Sequence, residues 1–114
     1  MTERRKQTRS KINYPVSFIG WDKDGNVTAQ DIATGLNVNE NGMLIESDSF
    51  VNARCIEIMV KSKDKTTIKI NGAIIYSTPS NRGKFRTGIY FEETPESTLL
   101  FIDEMIQAAS LANA

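Results

Sequence analysis

Residues 54–61 read Arg54-Cys55-Ile56-Glu57-Ile58-Met59-Val60-Lys61, with Ile56, Ile58 and Val60 alternating with Glu57, Met59 and Lys61. A repeat of two puts branched aliphatics on one face and two charged residues with Met59 on the other, the pattern of a β-strand with one wet side. The segments on either side keep this period. Upstream, Met43-Leu44-Ile45-Glu46-Ser47 reads as a short strand, and Pro15 opens another in which Val16, Phe18 and Gly20 alternate with Ser17, Ile19 and Trp21. Between them a strand is expected over 27–38, broken or bulged near Gly35. Downstream, a strand over 66–78 has Ile68 and Ile70 on one face, with a bulge or bend expected at Gly72, and a last strand covers 85–91.

Turn chemistry separates these runs. Asp22-Lys23-Asp24-Gly25-Asn26 is a hairpin signal, because glycine supplies the positive φ of a tight return. Asn39-Glu40-Asn41-Gly42, Ser62-Lys63-Asp64-Lys65 and Pro79-Ser80-Asn81-Arg82-Gly83 mark three further reversals. The period then changes. Thr94 can cap a helix, Pro95 suits its first position and Glu96 suits the positive end of its dipole. Leu99, Ile102, Met105, Ile106 and Ala109 follow at helical spacing, so that face should pack on the sheet. The expected architecture is mainly β: six antiparallel strands forming a small barrel, with a C-terminal α-helix. One domain is expected, with a flexible basic arm over 1–13, a barrel over 14–93 and a helix over 94–112.

Composition narrows the functional classes. At 114 residues the chain has the length of one domain. Fourteen basic residues balance fourteen acidic ones, which argues against long-range attraction to nucleic acid or anionic membranes. The charges are nevertheless segregated. Arg4, Arg5, Lys6, Arg9 and Lys11 crowd one end, and Glu92, Glu93, Glu96, Asp103 and Glu104 the other. A single cysteine excludes an internal disulfide framework, and without histidine the usual parts of metal sites and acid–base catalysis are missing. A non-enzymatic protein without a cofactor is expected. No apolar run approaches the ~18 residues of a membrane span, and no signal-peptide core follows the basic start, so a cytoplasmic location is expected.

Two elements carry chemistry. Arg4, Arg5 and Arg9 put three guanidinium groups in six residues, able to grip phosphate oxygens or stack on a purine. Asn37 and Asn39 share one face of an extended segment that Gly42 closes, and carboxamides can read a purine's hydrogen-bonding edge. Each element also has a plain structural reading. The first suits a solubilising tail, and the second an ordinary Asn-Gly hairpin.

Arg5-Lys6-Gln7-Thr8-Arg9 followed by Asn37-Val38-Asn39-Glu40-Asn41-Gly42 resembles the paired motifs of the PilZ domain family, R-x-x-x-R and [D/N]-x-S-x-x-G. Phe85-Arg86-Thr87-Gly88-Ile89-Tyr90-Phe91 and the terminal helix resemble the family's late strand and C-terminal helix. The resemblance covers nearly the whole chain and implies a six-stranded PilZ-type barrel that binds cyclic di-GMP. It implies that Arg5 and Arg9 contact phosphates and guanines, that Asn37 reads a guanine edge, and that Gly42 forms the turn. Arg4 is the position that the family associates with a stacked ligand pair, and Tyr76 lies where some relatives offer an aromatic ring. Asn39 stands where the family has serine, a departure expected to weaken binding by about ten-fold without abolishing it.

The function implied is a sensor whose N-terminal arm changes conformation on binding cyclic di-GMP. It would signal to an effector protein in motility, pilus assembly or exopolysaccharide production, as a monomer or a ligand-dependent dimer. Two other readings stay open: a degenerate PilZ-like interaction module that ignores nucleotide, and a small barrel that binds single-stranded nucleic acid. The last would need aromatic platforms and a positive groove, whereas here net charge is zero and aromatics are few.

Overall fold

The computed structural model describes residues 9–112. The alternating segments form six strands: β1 (Ser10–Trp21), β2 (Val27–Asn39), β3 (Gly42–Ser47), β4 (Cys55–Lys61), β5 (Thr67–Pro79) and β6 (Phe85–Phe91). They close into an antiparallel barrel in the order β1-β2-β3-β6-β5-β4, followed by helix α1 (Glu96–Ala112). The strands point one alternating set of apolar side chains inward. Phe18, Met43, Ile45, Ile56, Ile58, Ile70 and Ile89 are fully buried and contribute from five of the strands. Val51, in the connection from β3 to β4, is buried with them, and its N–H donates to Ser77 Oγ at 3.3 Å.

β1 begins at Ser10, so the barrel takes in residues assigned above to the arm. Ser10, Lys11 and Asn13 look unstructured because they are polar, but Ile12 between them is 7% exposed and packs in the core. A register shift between Lys11 and Tyr14 lets this first stretch pair Ser10 with Val38 and Lys11 with Asn37. Gly72, expected to bulge, instead lies in unbroken register with Ile56 and Phe91. It is glycine for want of space, since a Cβ there would stand 2.7 Å from Tyr90 O. The bulge in β5 comes later, between Ile74 and Tyr76.

The β1–β2 turn is built as its sequence suggests. Asp22 N–H donates to Asn26 O at 2.9 Å, Gly25 takes φ 85°, and the Asp22 carboxylate accepts the N–H groups of Asp24 and Asn26, both at 2.9 Å. Those bonds, the one from Asn26 foremost, hold the Asp22 carboxyl below its ordinary range.

Helix α1 starts one residue later than the capping pattern suggests: Pro95 O accepts the N–H of Thr98 at 2.9 Å and of Leu99 at 3.1 Å. Its buried face is Thr98, Phe101, Ile102 and Met105, while Leu99 is 37% exposed, so the helix is turned toward Phe101. Tyr14 of β1 seats it. The Tyr14 ring meets Phe101 edge-on, with centroids 5.6 Å apart, and its hydroxyl donates to Lys61 O at 2.6 Å. Glu104 of α1 accepts the N–H of Lys63 at 2.9 Å. Burial, and secondarily the Glu104 carboxylate, raise the Tyr14 phenol above its ordinary pKa.

Candidate functional site

The site forms where β2 turns into β3 and β6 passes beside them. Asn39 closes the turn: its Oδ1 accepts the N–H of Asn41 at 2.7 Å and of Gly42 at 3.0 Å. The short polar side chain thus substitutes for a backbone partner in the reversal. Phe91 N–H donates to Asn41 O at 2.8 Å and ties the turn to β6. Gly42 is needed for clearance, because a Cβ would come within 2.2 Å of Ile89 O.

Arg9 lies over this turn. Its Nη1 donates to Asn37 Oδ1 at 3.3 Å, and its Nη2 lies 2.9 Å from where a Gly42 Cβ would be. The second arginine of the basic motif and two members of the asparagine motif therefore meet on one rim, although 28 positions separate Arg9 from Asn37. Arg4 and Arg5 lie outside the described residues.

Strand register extends the site across the barrel wall. Asn37 stands opposite Leu44, Leu44 opposite Gly88, and Gly88 opposite Tyr76. Three inter-strand steps make this row roughly 14 Å long. Gly88 leaves its centre flat, and the Tyr76 ring folds onto it: a Cβ at Gly88 would be 2.5 Å from the ring edge. Tyr76 is 46% exposed, and so is much of Tyr90 in the neighbouring row, opposite Gly42. On the other side Arg86 Nε donates to Glu46 Oε2 at 3.2 Å, which neutralises both charges.

Bulges make this face possible. Gly35 pairs with Ile45 and Asn37 with Leu44, so Leu36 is the extra residue that carries Asn37 onto the outer row. Ile75 is the extra residue in β5; in regular register Tyr76 would oppose the buried Thr87 and point inward. Bulges commonly re-aim side chains in this way. Leu44, Gly88 and Tyr90 were not singled out from sequence as site residues. Their outward phase in β3 and β6 is the signal that could have found them.

A guanidinium and a carboxamide at one end, a phenol ring at the other and a low floor between suit a flat, anionic, hydrogen-bonding ligand. Arg9 supplies charge and a stacking plane, and Tyr76 supplies a second plane.

No family model and no curated protein matches the sequence. Solved structures do match the fold. The PilZ domain of YcgR from Escherichia coli, solved with c-di-GMP, aligns with TM-score 0.63 at 10% identity, over 93% of this chain and 91% of that one. The Bacillus subtilis inhibitor of motility MotI/DgrA aligns with TM-score 0.61 at 10% identity, over 92% of this chain and 49% of that one. MrkH of K. pneumonia in its apo state gives 0.58 at 8%, over 94% of this chain and 51% of that one. The chain thus spans about half the length of these last two proteins. Closed barrel, strand order, terminal helix and these alignments together show that the chain has the fold of a PilZ-type domain.

Proposed function

We propose that this domain is a cytoplasmic receptor for cyclic di-GMP, which it binds on the outer row between Arg9 and Tyr76. One observation carries the reading: Arg9 and Asn37, from two separate motifs, are in hydrogen-bond contact above Gly42, with an exposed ring at the far end of the same row. The ligand named with the YcgR domain supports it. In this reading Arg5 and Arg9 grip the phosphates and cover the guanines, Asn37 bonds a guanine edge, and Asn39 and Gly42 shape the turn beneath. Tyr76 stacks on a base. Arg4 is the residue that would hold a second ligand molecule in this reading. Binding changes the conformation of the residues before β1, and an effector protein reads the altered surface, as in control of motility, pili or exopolysaccharide. The domain binds and relays; it does not catalyse.

Calorimetry with cyclic di-GMP tests this. Heat is expected at roughly tens of micromolar ligand or below, with Arg5→Ala and Arg9→Ala each weakening affinity more than ten-fold, about 1.4 kcal/mol or more, while the circular dichroism spectrum is unchanged. A folded wild-type chain that gives no heat overturns the proposal and leaves an interaction module that ignores nucleotide.

A further inference from the structure

β2 extends past its partner. Its pairing with β3 covers Thr34 to Asn39, whereas residues 27–33 pair only with β1. The direction of the unused backbone groups follows from one hydrogen bond. Ile74 N–H donates to Arg54 O at 2.9 Å, so beyond that carbonyl residues 56, 58 and 60 address β5, and 55, 57 and 59 address β1. Ser17 and Ile19, opposite Met59 and Glu57, therefore give their backbone groups to β4. Across from them on the other side, Ile32 and Gln30 turn theirs away from β1, toward the space that β3 has left. In agreement, Ile32 N–H is met by a side chain, the Asp31 carboxylate, at 2.8 Å. Asp31 Oδ2 also accepts from Ser49 Oγ at 3.4 Å.

The edge is apolar and accessible. Ile32 is 74% exposed and Val27 57%. Beside it lies a groove of about 520 Å³, with Ile32, Ala33 and Thr34 among its lining on one side and Glu46, Ser47 and Asp48 on the other. Glu46 and Asp48 are already paired with Arg86 and Lys84. The acid that remains at the edge is Asp31.

We infer that the free edge of β2, centred on Gln30 and Ile32, is a docking site for an extended, basic segment of a partner protein, which adds as an antiparallel strand. Such a strand pairs with the backbone of Gln30 and Ile32 and places its intervening residue opposite Asp31. Its carbonyl takes over Ile32 N–H, and the displaced carboxylate is free to meet a lysine or arginine. A second copy of this chain is the wrong occupant, because pairing Gln30 with Ile32 across a two-fold axis sets Asp31 against Asp31, and like charges directly opposite repel. Asp31 is thus both guard and selector: it caps the edge when empty, as charges on edge strands commonly do, and chooses the sign of what binds.

The test uses the whole chain without nucleotide and the peptide Thr-Val-Thr-Lys-Thr-Val-Thr, capped at both ends, against the same peptide with glutamate at its centre. Binding is read by NMR as amide shifts at Gln30 and Ile32. The lysine peptide should bind about three- to ten-fold more tightly, and Asp31→Lys should invert that preference. If Asp31→Lys does not fold, Asp31→Asn should level it. Ile32→Pro, which removes an edge N–H that no barrel strand uses, should abolish binding and leave the melting temperature unchanged. Equal binding of both peptides, shifts confined to other strands, or no binding at millimolar peptide overturns the inference.

Discussion

Gly42 and Gly88 occupy the same outer face, yet a methyl group would act differently at each. At Gly42 it meets Ile89 O, a backbone atom held in the β3–β6 ladder, and cannot be accommodated without parting the strands. Gly42→Ala should therefore cost more than about 2 kcal/mol in denaturant unfolding, and any loss of ligand binding would follow from the damaged fold. At Gly88 the obstacle is the Tyr76 ring, a side chain that can swing aside. Gly88→Ala should change stability by less than about 1 kcal/mol but weaken cyclic di-GMP in calorimetry by moving the ring. A reversed pattern would mean that Tyr76 contributes to the fold and not to the site. The sequence marks Gly42 as a turn residue but gives no sign that β6 backbone crowds it. Asn39 is similar: its place in the motif is visible in the chain, while the use of its oxygen to close the turn emerges only once Asn41 and Gly42 fold back upon it.

At the scale of the element, alternation was readable wherever it ran unbroken, as in Ile56, Ile58 and Val60 of β4. It failed at the irregularities. Nothing in Ala73-Ile74-Ile75-Tyr76 announces that Ile75 is supernumerary, because four apolar residues in a row fit either phase. Gly72 drew the bulge assignment because glycine often marks one, although here it answers a close approach by Tyr90. The start of β1 was hidden for another reason: one inward residue, Ile12, is too few to show a period. The β1–β2 hairpin, by contrast, rests on local chemistry that the chain states outright. Its Asp22 carboxyl has a lowered pKa in the folded state, so the stability it lends is present above the unfolded value of about 3.9 and is lost as pH falls through the folded one. Acid unfolding of Asp22→Asn should accordingly lack part of the wild-type pH dependence below about pH 4, and carbon-detected NMR should find the Asp22 carboxyl still ionised there.

For the whole molecule, closure of the barrel removes most strand edges and leaves the helix, among the described residues, as the one large element outside the wall. Its attachment relies on β1, the strand whose N-terminal end lies beside Arg9, and on the β4–β5 turn that Glu104 holds. Tyr14 joins these parts, and its chemistry gives the domain an alkaline limit. As a phenol it donates to Lys61 O; as a phenolate it has no proton to give and faces that carbonyl and Glu104 with a negative charge. Its folded pKa is raised, so the stabilisation is complete below the unfolded value near 10 and disappears as pH climbs through the folded one. In base the helix should work loose ahead of the barrel, seen as early loss of helical circular dichroism, and Tyr14→Phe should remove that pH dependence. An assembly that clamped this phenol would extend the domain's tolerance of alkali without touching its nucleotide face.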